Sequence, residues 1–577
     1  PQRLHVVALA ACSLTPSALA GAHALTPWPD GAAALRAHWP PAWNGLHSID
    51  LDEGRVQLLL GFGEVGPLLR ALDVQADALL LDADPLLAAP GSSAAPLLRT
   101  LARHLRVGAT AVFGTDVPGV RDGLQAAGFE LIDGPTDGGP GHAGWLRARL
   151  APRRGRRSSV ARGHDDDDAT AARSAIVLGA GLAGAWAARA LVRQGWSVRV
   201  FDRHAAPAAE ASGNPAGLFH ATVHAGDGRH ARWHRAAARR TAQWLRPCIA
   251  AGALPGAVDG LLRLAPAAVD NGHDHDHDDD GGAEWLARMR TLDVPPELAE
   301  PLGPAAASAR AGIPLARAGW WFPDGGWVDP GALVRHLLGT PGIIFNGGTD
   351  VAALRRDGAD WSLLDAAGRT LAITRTLVLA NAADAARRWP AAAWPLVRSR
   401  GQIGTWSAAL AAAHDAPRPR VPLAGDGYLI AHPDGALTAG ATSAPDDDDP
   451  RRRPDDDEFN RSRLARLAGW GAAPLPDGAR VGWRAQTPDR LPMVGPVPAA
   501  LPGGTPTAPL RAQAREPGLF VLSGFGGRGL TWGPLAAEVL AAWITGAPMP
   551  VEARLRDAVD PARWRVRAAR LAPPGAG

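Results

Sequence analysis

Lysine is absent from this chain: all 60 basic side chains among its 577 residues are arginine. Without a lysine amine there is no Schiff base to a carbonyl substrate or to pyridoxal phosphate, and no Walker-type phosphate loop. Cysteine is nearly as scarce. Cys12 and Cys248, the only two, lie far apart, which leaves no disulfide framework and no thiolate cluster for zinc, and both are expected to be buried bystanders. Tyrosine occurs once, as Tyr428. No apolar run is long enough to span a bilayer. The start at Pro1 has none of the basic, apolar and small-residue succession of a secretory signal, so a cytoplasmic protein with no membrane partner is expected.

With 46% hydrophobic and 20% charged residues the chain can bury a large interior, and its length corresponds to three or four folding units at roughly 150 residues each. A formal charge of +3 and a sequence pI near 9.6 are compatible with an RNA partner. The arginine excess does not argue for one by itself, since codon preference produces the same composition.

Charge runs divide the chain. "APRRGRRSSVARGHDDDDATAAR", Ala151 to Arg173, has no apolar periodicity and reads as an exposed linker. Two inserts, Asn271 to Gly282 and Pro445 to Glu458, are too polar to order themselves and are expected to be surface loops. His273, His275 and His277 alternate in the first insert, but a loop without supporting groups favours adventitious metal binding, and no metal site is assigned. Ahead of the linker, strand and helix patterns alternate. "RLHVVAL" reads as a strand, and "ADALLLDAD", Ala76 to Asp84, as one apolar enough to be buried on both faces of a parallel sheet. Helical "APLLRTLARHL", strand "RVGATAVFG" and helical "VRDGLQAA", stopped by Gly128 before another short strand, complete the back half of a doubly wound fold.

After the linker, "SAIVLGAGLAGAWAARALVRQGWSVRVFD" reads as strand, glycine loop, helix, strand and terminal acid. Gly179, Gly181 and Gly184 form G-x-G-x-x-G, the first allowing the tight turn, the second the approach of a pyrophosphate, the third the packing of helix on strand. Ala188, Leu191 and Gly195 continue the helix's packing face. The helix N-terminus offers free N–H groups and a positive dipole. Asp202, ending the second strand, can accept both ribose hydroxyls of adenosine and would repel the extra phosphate of NADP. The small-residue loop "EASGNPAGLFH" from Glu210, and a glycine turn at Gly524 to Gly529 opening a helix, bring backbone amides and a second helix N-terminus to the far end of a long cofactor. This arrangement favours FAD over a nicotinamide dinucleotide.

The succession of these blocks, with "ASGN", "TLVLANAAD" (Thr376 to Asp384), "RGQIG" (Arg400 to Gly404), "DGYLIAHPDG" and "GWRAQTPDRLPMVGPVP", resembles the D-amino-acid oxidase and glycine oxidase superfamily. Within it the chain is most similar to the bifunctional tRNA wobble-uridine enzymes of 5-methylaminomethyl-2-thiouridine biosynthesis, which carry a methyltransferase domain ahead of the FAD domain. "LDEGRVQLLLGFGEV", "VRDGLQAAGFEL" and "GGWVDPGALVRHLL" add to that likeness. The resemblance implies an α/β protein: a truncated Rossmann-like methyltransferase domain over 1–150, a linker over 151–173, and an FAD-dependent oxidoreductase domain over 174–577. The last comprises a doubly wound FAD-binding part (about 174–262, 320–400 and 476–560) and an α+β substrate part (about 263–319 and 401–475).

It further implies tRNA as partner, oxidative removal of the carboxymethyl group from carboxymethylaminomethyl-uridine, and glyoxylate as released product, with a monomer as the expected state. Arg484 is then the candidate cation for the substrate carboxylate, Tyr428 a substrate-side hydroxyl and Gln402 a pocket-lining amide. Cofactor contacts are implied at Gly179, Gly181, Gly184, Asp202, Arg203, Ser212, Gly213, Asn214, Val351, Ala380, Asn381, Gly524, Gly526, Gly527, Arg528 and Gly529.

The first domain departs from that family. The glycine loop that would bind S-adenosylmethionine is missing, because the chain begins at what looks like the second strand. The acid expected at the end of "RLHVVAL" corresponds to Ala10 or Ala11, neither of which can accept a hydrogen bond through its side chain. In "DADPLL" only Asp82 stands where the family's run beside the methyl acceptor has its acid, while Glu64 could still meet adenine. Loss of methyl transfer is therefore expected, with oxidation retained. Two other readings share these motifs: an oxidase of small amines such as glycine or sarcosine, and a non-catalytic tRNA-binding flavoprotein. "RRGRR" from Arg153 and "RRR" from Arg451 are candidate phosphate contacts, or solvated charge runs.

Overall fold

The computed structural model describes residues 3–24, 28–81, 94–114, 120–132, 146–151, 173–224, 226–266, 283–292, 294–500 and 508–571. Two compact units result, Pro1–Ala171 with Ala541–Arg556, and Ala172–Leu540 with Asp557–Gly577. Asp82, the 152–172 part of the linker, "RRGRR" and the histidine-rich insert fall outside the described residues.

In the first unit Leu4–Ala10 pairs in parallel with Val56–Phe62, which pairs antiparallel with Gly45–Leu51. A second sheet runs in the order Ala76–Leu81, Leu105–Phe113, Leu146–Leu150, Phe129–Leu131. Helices Ala94–Ala102 and Val120–Ala127 bury Leu98 and Leu124 with Phe113 and Ala148 of this sheet. Gly128, at φ 94°, ends the second helix in a conformation that suits a residue without Cβ. The strand at Ala76–Leu81 is not buried on both faces as expected. Among the described residues it has one hydrogen-bonded neighbour, and Leu80 is 71% exposed; as an edge strand it lacks the second neighbour and cover that its apolar run would suit. Cys12 is exposed and Cys248 half-buried, so neither is the buried bystander expected.

The second unit is organised by two sheets. A six-stranded one runs Ile343–Asn346, Ser197–Phe201, Ser174–Leu178, Leu377–Leu379, Arg515–Ser523, Met493–Pro498; its first five strands are parallel and the last is antiparallel. The helix Leu182–Arg193 buries Ala188 and Leu191 completely, as expected from its periodicity, whereas Gly195, expected to continue that face, lies beyond the helix and is exposed. The second sheet has nine strands. Gly319–Phe322 and Gly478–Gln486, expected with the dinucleotide part, both belong to it. Its far face, with Leu262, Leu423 and Leu429, packs in one core with Leu464 and Leu467 of the helix Pro454–Ala468.

Pro445–Glu458 is ordered rather than a loose loop. Its charges are matched inside the fold: the Arg400 guanidinium, fully buried, pairs with Asp456 at 2.5 Å and donates to the Asp449 and Arg451 carbonyls. Asp455, Asp456 and Asp457 sit in the first turn of the helix Pro454–Ala468, where the macrodipole favours anions. Arg451, Arg452 and Arg453 are paired with Asp449, Asp457 and Asp447, the Arg451 side chain remaining largely exposed. Asp457 is buried between the Gln402 amide and Arg452. Asp457→Ala, leaving both donors unpaired, is expected to lower the unfolding free energy of this unit by about 2 kcal/mol, read by chemical denaturation.

Candidate active site

A cleft of about 980 Å³, including its open mouth, runs through the second unit. One end is made by the strand–loop–helix that begins at Ser174. Gly179 has φ 102°, and a Cβ there would stand 2.7 Å from the Ala380 carbonyl oxygen. A Cβ on Gly184 would fall 1.8 Å from the Gly179 oxygen, so helix and turn touch only because position 184 has no side chain. The Asp202 carboxylate accepts from the Ala180 N–H at 2.7 Å and from the His204 N–H at 2.8 Å. His204 Nδ1 also lies 3.0 Å from Oδ1, so lone-pair capacity for a ribose hydroxyl is left on Oδ2. Ser212 Oγ accepts from the Leu182 N–H at 3.0 Å and lines the cleft beside Gly181. Asn381 also lines it and has its buried Oδ1 without a hydrogen-bond partner. Val351 and Ala380 supply apolar wall, and Arg203 crosses the rim, paired with Glu210 and with Asp384 at 2.9 Å.

These features fit the AMP portion of FAD: a turn that side chains would obstruct, a helix N-terminus whose N-cap, Gly181, has no side chain, an acid for the ribose and a lining asparagine with an orphan polar atom. Gly184, Gly213 and Asn214 lie behind the cleft rather than along it; a Cβ on Gly213 would meet the Ala208 oxygen at 2.2 Å, a packing constraint.

Arg484 lines the same cleft as Asp202. It lies on the strand Gly478–Gln486, and its Nη2 donates to the Thr442 carbonyl at 2.5 Å and to that of Arg400 at 3.5 Å. Its Nε is buried without a partner, and no carboxylate among the described residues pairs with it. Burial depresses the guanidinium's pKa, opposed by the nearby Tyr428. Tyr428, on Tyr428–Ala431, is raised by burial, with Arg484 acting the other way. The cleft's lining thus brings together Gly179, Gly181, Asp202, Arg203, Ser212, Val351, Ala380, Asn381 and Arg484.

Gly524, Gly526, Gly527, Arg528 and Gly529 form a turn outside that lining, though a Cβ on Gly527 would come within 4.0 Å of Arg484 Cδ. The helix Gly529–Thr545 starts there. Gln402 does not line the cleft. It is fully buried, its amide nitrogen donating to Asp457 at 2.8 Å and to the Arg453 carbonyl, its oxygen accepting from the Arg453 N–H and Arg400. An amide with every bond made inside the fold braces the 445–458 segment and leaves none for substrate, contrary to the expected pocket-lining role.

Sequence reasoning passed over other residues of this region. Thr349, Asp350 and Trp483 line the cleft, and Arg398 stacks on Trp483 at 4.3 Å. A group of histidines, His220, His224, His230 and His234, lies around Trp532. His230 and His234 are four apart on the helix Arg229–Ala250, a spacing that puts them on one face and was visible in the sequence.

Fold and cleft together define an FAD-dependent oxidoreductase. The model of the FAD dependent oxidoreductase family matches residues 174–543, and that of an S-adenosyl-L-methionine-dependent methyltransferase family matches residues 28–142. Solved structures with the same fold include a glycine oxidase from Bacillus cereus (TM-score 0.51, 15% identity, 65% of this chain and 98% of that one) and an L-proline dehydrogenase from P. horikoshii (TM-score 0.52, 15% identity, 69% and 98%). Over nearly its whole length the chain is similar to two proteins named tRNA 5-methylaminomethyl-2-thiouridine biosynthesis bifunctional protein MnmC. That of Methylibium petroleiphilum is 41% identical over 98% of this chain and 86% of its own length, and that of Azoarcus sp. is 38% identical over 99% and 87%. The chain belongs to the family of these bifunctional tRNA 5-methylaminomethyl-2-thiouridine biosynthesis proteins.

Proposed function

We propose that this chain modifies the wobble uridine of tRNA, oxidatively removing the carboxymethyl group from carboxymethylaminomethyl-(2-thio)uridine to leave aminomethyl-(2-thio)uridine and glyoxylate. The observation that carries the reading is Arg484, a half-buried guanidinium without a carboxylate partner among the described residues, in the cleft that Asp202 also lines. Bound FAD supplies the two-electron acceptor for the glycyl C–N bond, and hydrolysis of the resulting imine by water divides amine from glyoxylate. The residues of this chain supply grip and orientation. Arg484 offers its guanidinium to the substrate carboxylate while the Thr442 carbonyl fixes Nη2, and Tyr428, near enough to influence the guanidinium, would supply a second donor. Amides near Gly179 and Gly181 would hold the pyrophosphate, Asp202 the ribose, and Val351 and Asn381 would flank them, with the turn at Gly524–Gly529 and Arg528 as the residues that would serve the isoalloxazine. No side chain need accept the proton in hydride transfer, provided the amine is unprotonated and positioned.

In this reading the first unit has lost methyl transfer. Ala10 and Ala11, at the end of the strand Leu4–Ala10, carry no acceptor for a ribose hydroxyl. Nucleoside analysis of tRNA bearing the carboxymethylaminomethyl group, after incubation with the holoprotein, tests both halves. The aminomethyl nucleoside is expected to accumulate, unchanged by added S-adenosylmethionine. An untouched carboxymethylaminomethyl nucleoside refutes the oxidative assignment, and a methylaminomethyl product refutes the loss.

A further inference from the structure

Arg263 stands where a strand residue of an apolar run would be expected to find an apolar neighbour. It lies on Leu261–Leu264, beside Ala424 of the next strand, and Ala424 lies beside Tyr428. Residues in register across a sheet share a face. Leu262, Leu423 and Leu429 alternate with them and fill the core on the opposite side, so Arg263, Ala424 and Tyr428 form one row on the other face. With strands roughly 4.8 Å apart, Arg263 begins about 10 Å from Tyr428. Ala424, between them, is too small to close the gap.

No acid among the described residues pairs with Arg263 or with Arg528. The Arg263 guanidinium donates from Nη1 to Thr222 Oγ1 at 3.4 Å. Arg528 lies over Trp532 at 5.4 Å, and Trp532 in turn stands 6.2 Å from His230. Burial, then Arg263 and Arg490, lower the Arg528 pKa, so the two guanidiniums are close enough to repel. The surrounding imidazoles are held neutral and add no further positive charge: burial followed by Arg263 pushes His220 down to about 3, and the same causes, with Arg528, depress His224. His230 Nε2 is buried with no partner. An exposed Arg263 and a half-buried Arg528, neither with an acid partner among the described residues, stand with an orphan imidazole nitrogen in a place that an anion suits. Arg484 and Tyr428 already serve a carboxylate at the other end of the row, so the second anion belongs to a longer substrate than glycine.

We propose that Arg263, with Thr222 and Arg528 beside it, is a phosphate site that takes a backbone phosphodiester of the RNA strand while the modified base carries its carboxylate to Arg484. This rests on the proposed tRNA reading and deepens it, since it makes the nucleotide rather than the amino-acid moiety the source of selectivity. The test uses the FAD-loaded full chain and three substrates: free carboxymethylaminomethyl-uridine, a trinucleotide with that nucleoside in the middle, and the same trinucleotide with uncharged methylphosphonate linkages. Glyoxylate release gives KM for each.

The charged trinucleotide is expected to have a KM roughly 10- to 100-fold below the free nucleoside, the range of one charge-assisted pair. The methylphosphonate version should lose that advantage on the unaltered protein. Arg263→Ala should erase it, and Arg263→Lys should restore part of it. Equal KM values for charged and uncharged trinucleotides, or an advantage that survives Arg263→Ala, overturn the phosphate site while oxidation of all three leaves the tRNA reading standing. Oxidation of glycine with none of the three nucleoside substrates turned over instead overturns the tRNA reading itself, and the phosphate site with it.

Discussion

Arg484→Ala is expected to cut kcat/KM for the carboxymethylaminomethyl substrate roughly 10²- to 10³-fold, because it strands a desolvated carboxylate without its bidentate partner. Bound flavin should be retained, since the guanidinium's bonds within the fold go to the carbonyls of Thr442 and Arg400 and not to the turn at Gly179. Arg484→Lys keeps a charge but loses the planar fork, and should recover only part of the loss. Steady-state glyoxylate release, with the flavin absorbance of each variant as control, reads the effect. A variant within twofold of the parent would mean that the carboxylate is held elsewhere.

Gly184→Val is expected to yield a colourless protein. Even an unbranched Cβ would stand 1.8 Å from the Gly179 carbonyl oxygen, far inside contact distance, and backbone cannot yield as a flexible side chain does. The helix Leu182–Arg193 must then move off the strand, carrying its N-terminal amides away from the pyrophosphate. The ratio of visible to ultraviolet absorbance after reconstitution with FAD should fall to near zero, while Asp202→Asn, which keeps the shape and one acceptor oxygen, should lower affinity and leave some colour. Full flavin uptake by Gly184→Val would place the cofactor away from this turn.

The two halves of the candidate site were unequally legible in the sequence. Ser174 to Asp202 could be read directly because strand, glycine turn, helix and terminal acid are all local features, set by the period-two and 3.6-residue patterns of a contiguous stretch. Arg484 carries no local signal: a single arginine in "GWRAQTPD" became a candidate through likeness to a family, and its isolation from acids is a property of the folded chain. Arg263 was missed for the same reason: in "LLRL" the alternation marks one exposed position, which it is, and says nothing of Thr222 or of its register with Ala424. The Pro445–Glu458 segment misled in the opposite direction. Its composition is that of a disordered run, yet Arg400 and Gln402, some fifty residues away, provide partners that composition cannot reveal. Strand partners were illegible too, as Gly319–Phe322 and Gly478–Gln486 contain nothing that selects the nine-stranded sheet over the six-stranded one.

The central claim is that one cleft holds FAD by Asp202 and a glycyl carboxylate by Arg484. Anaerobic mixing of the FAD-loaded chain with tRNA carrying the carboxymethylaminomethyl group tests it most directly. Bleaching of the flavin's visible band, with glyoxylate formed in equal amount, is the expected result. A band left intact by that tRNA, with no glyoxylate formed, would contradict it.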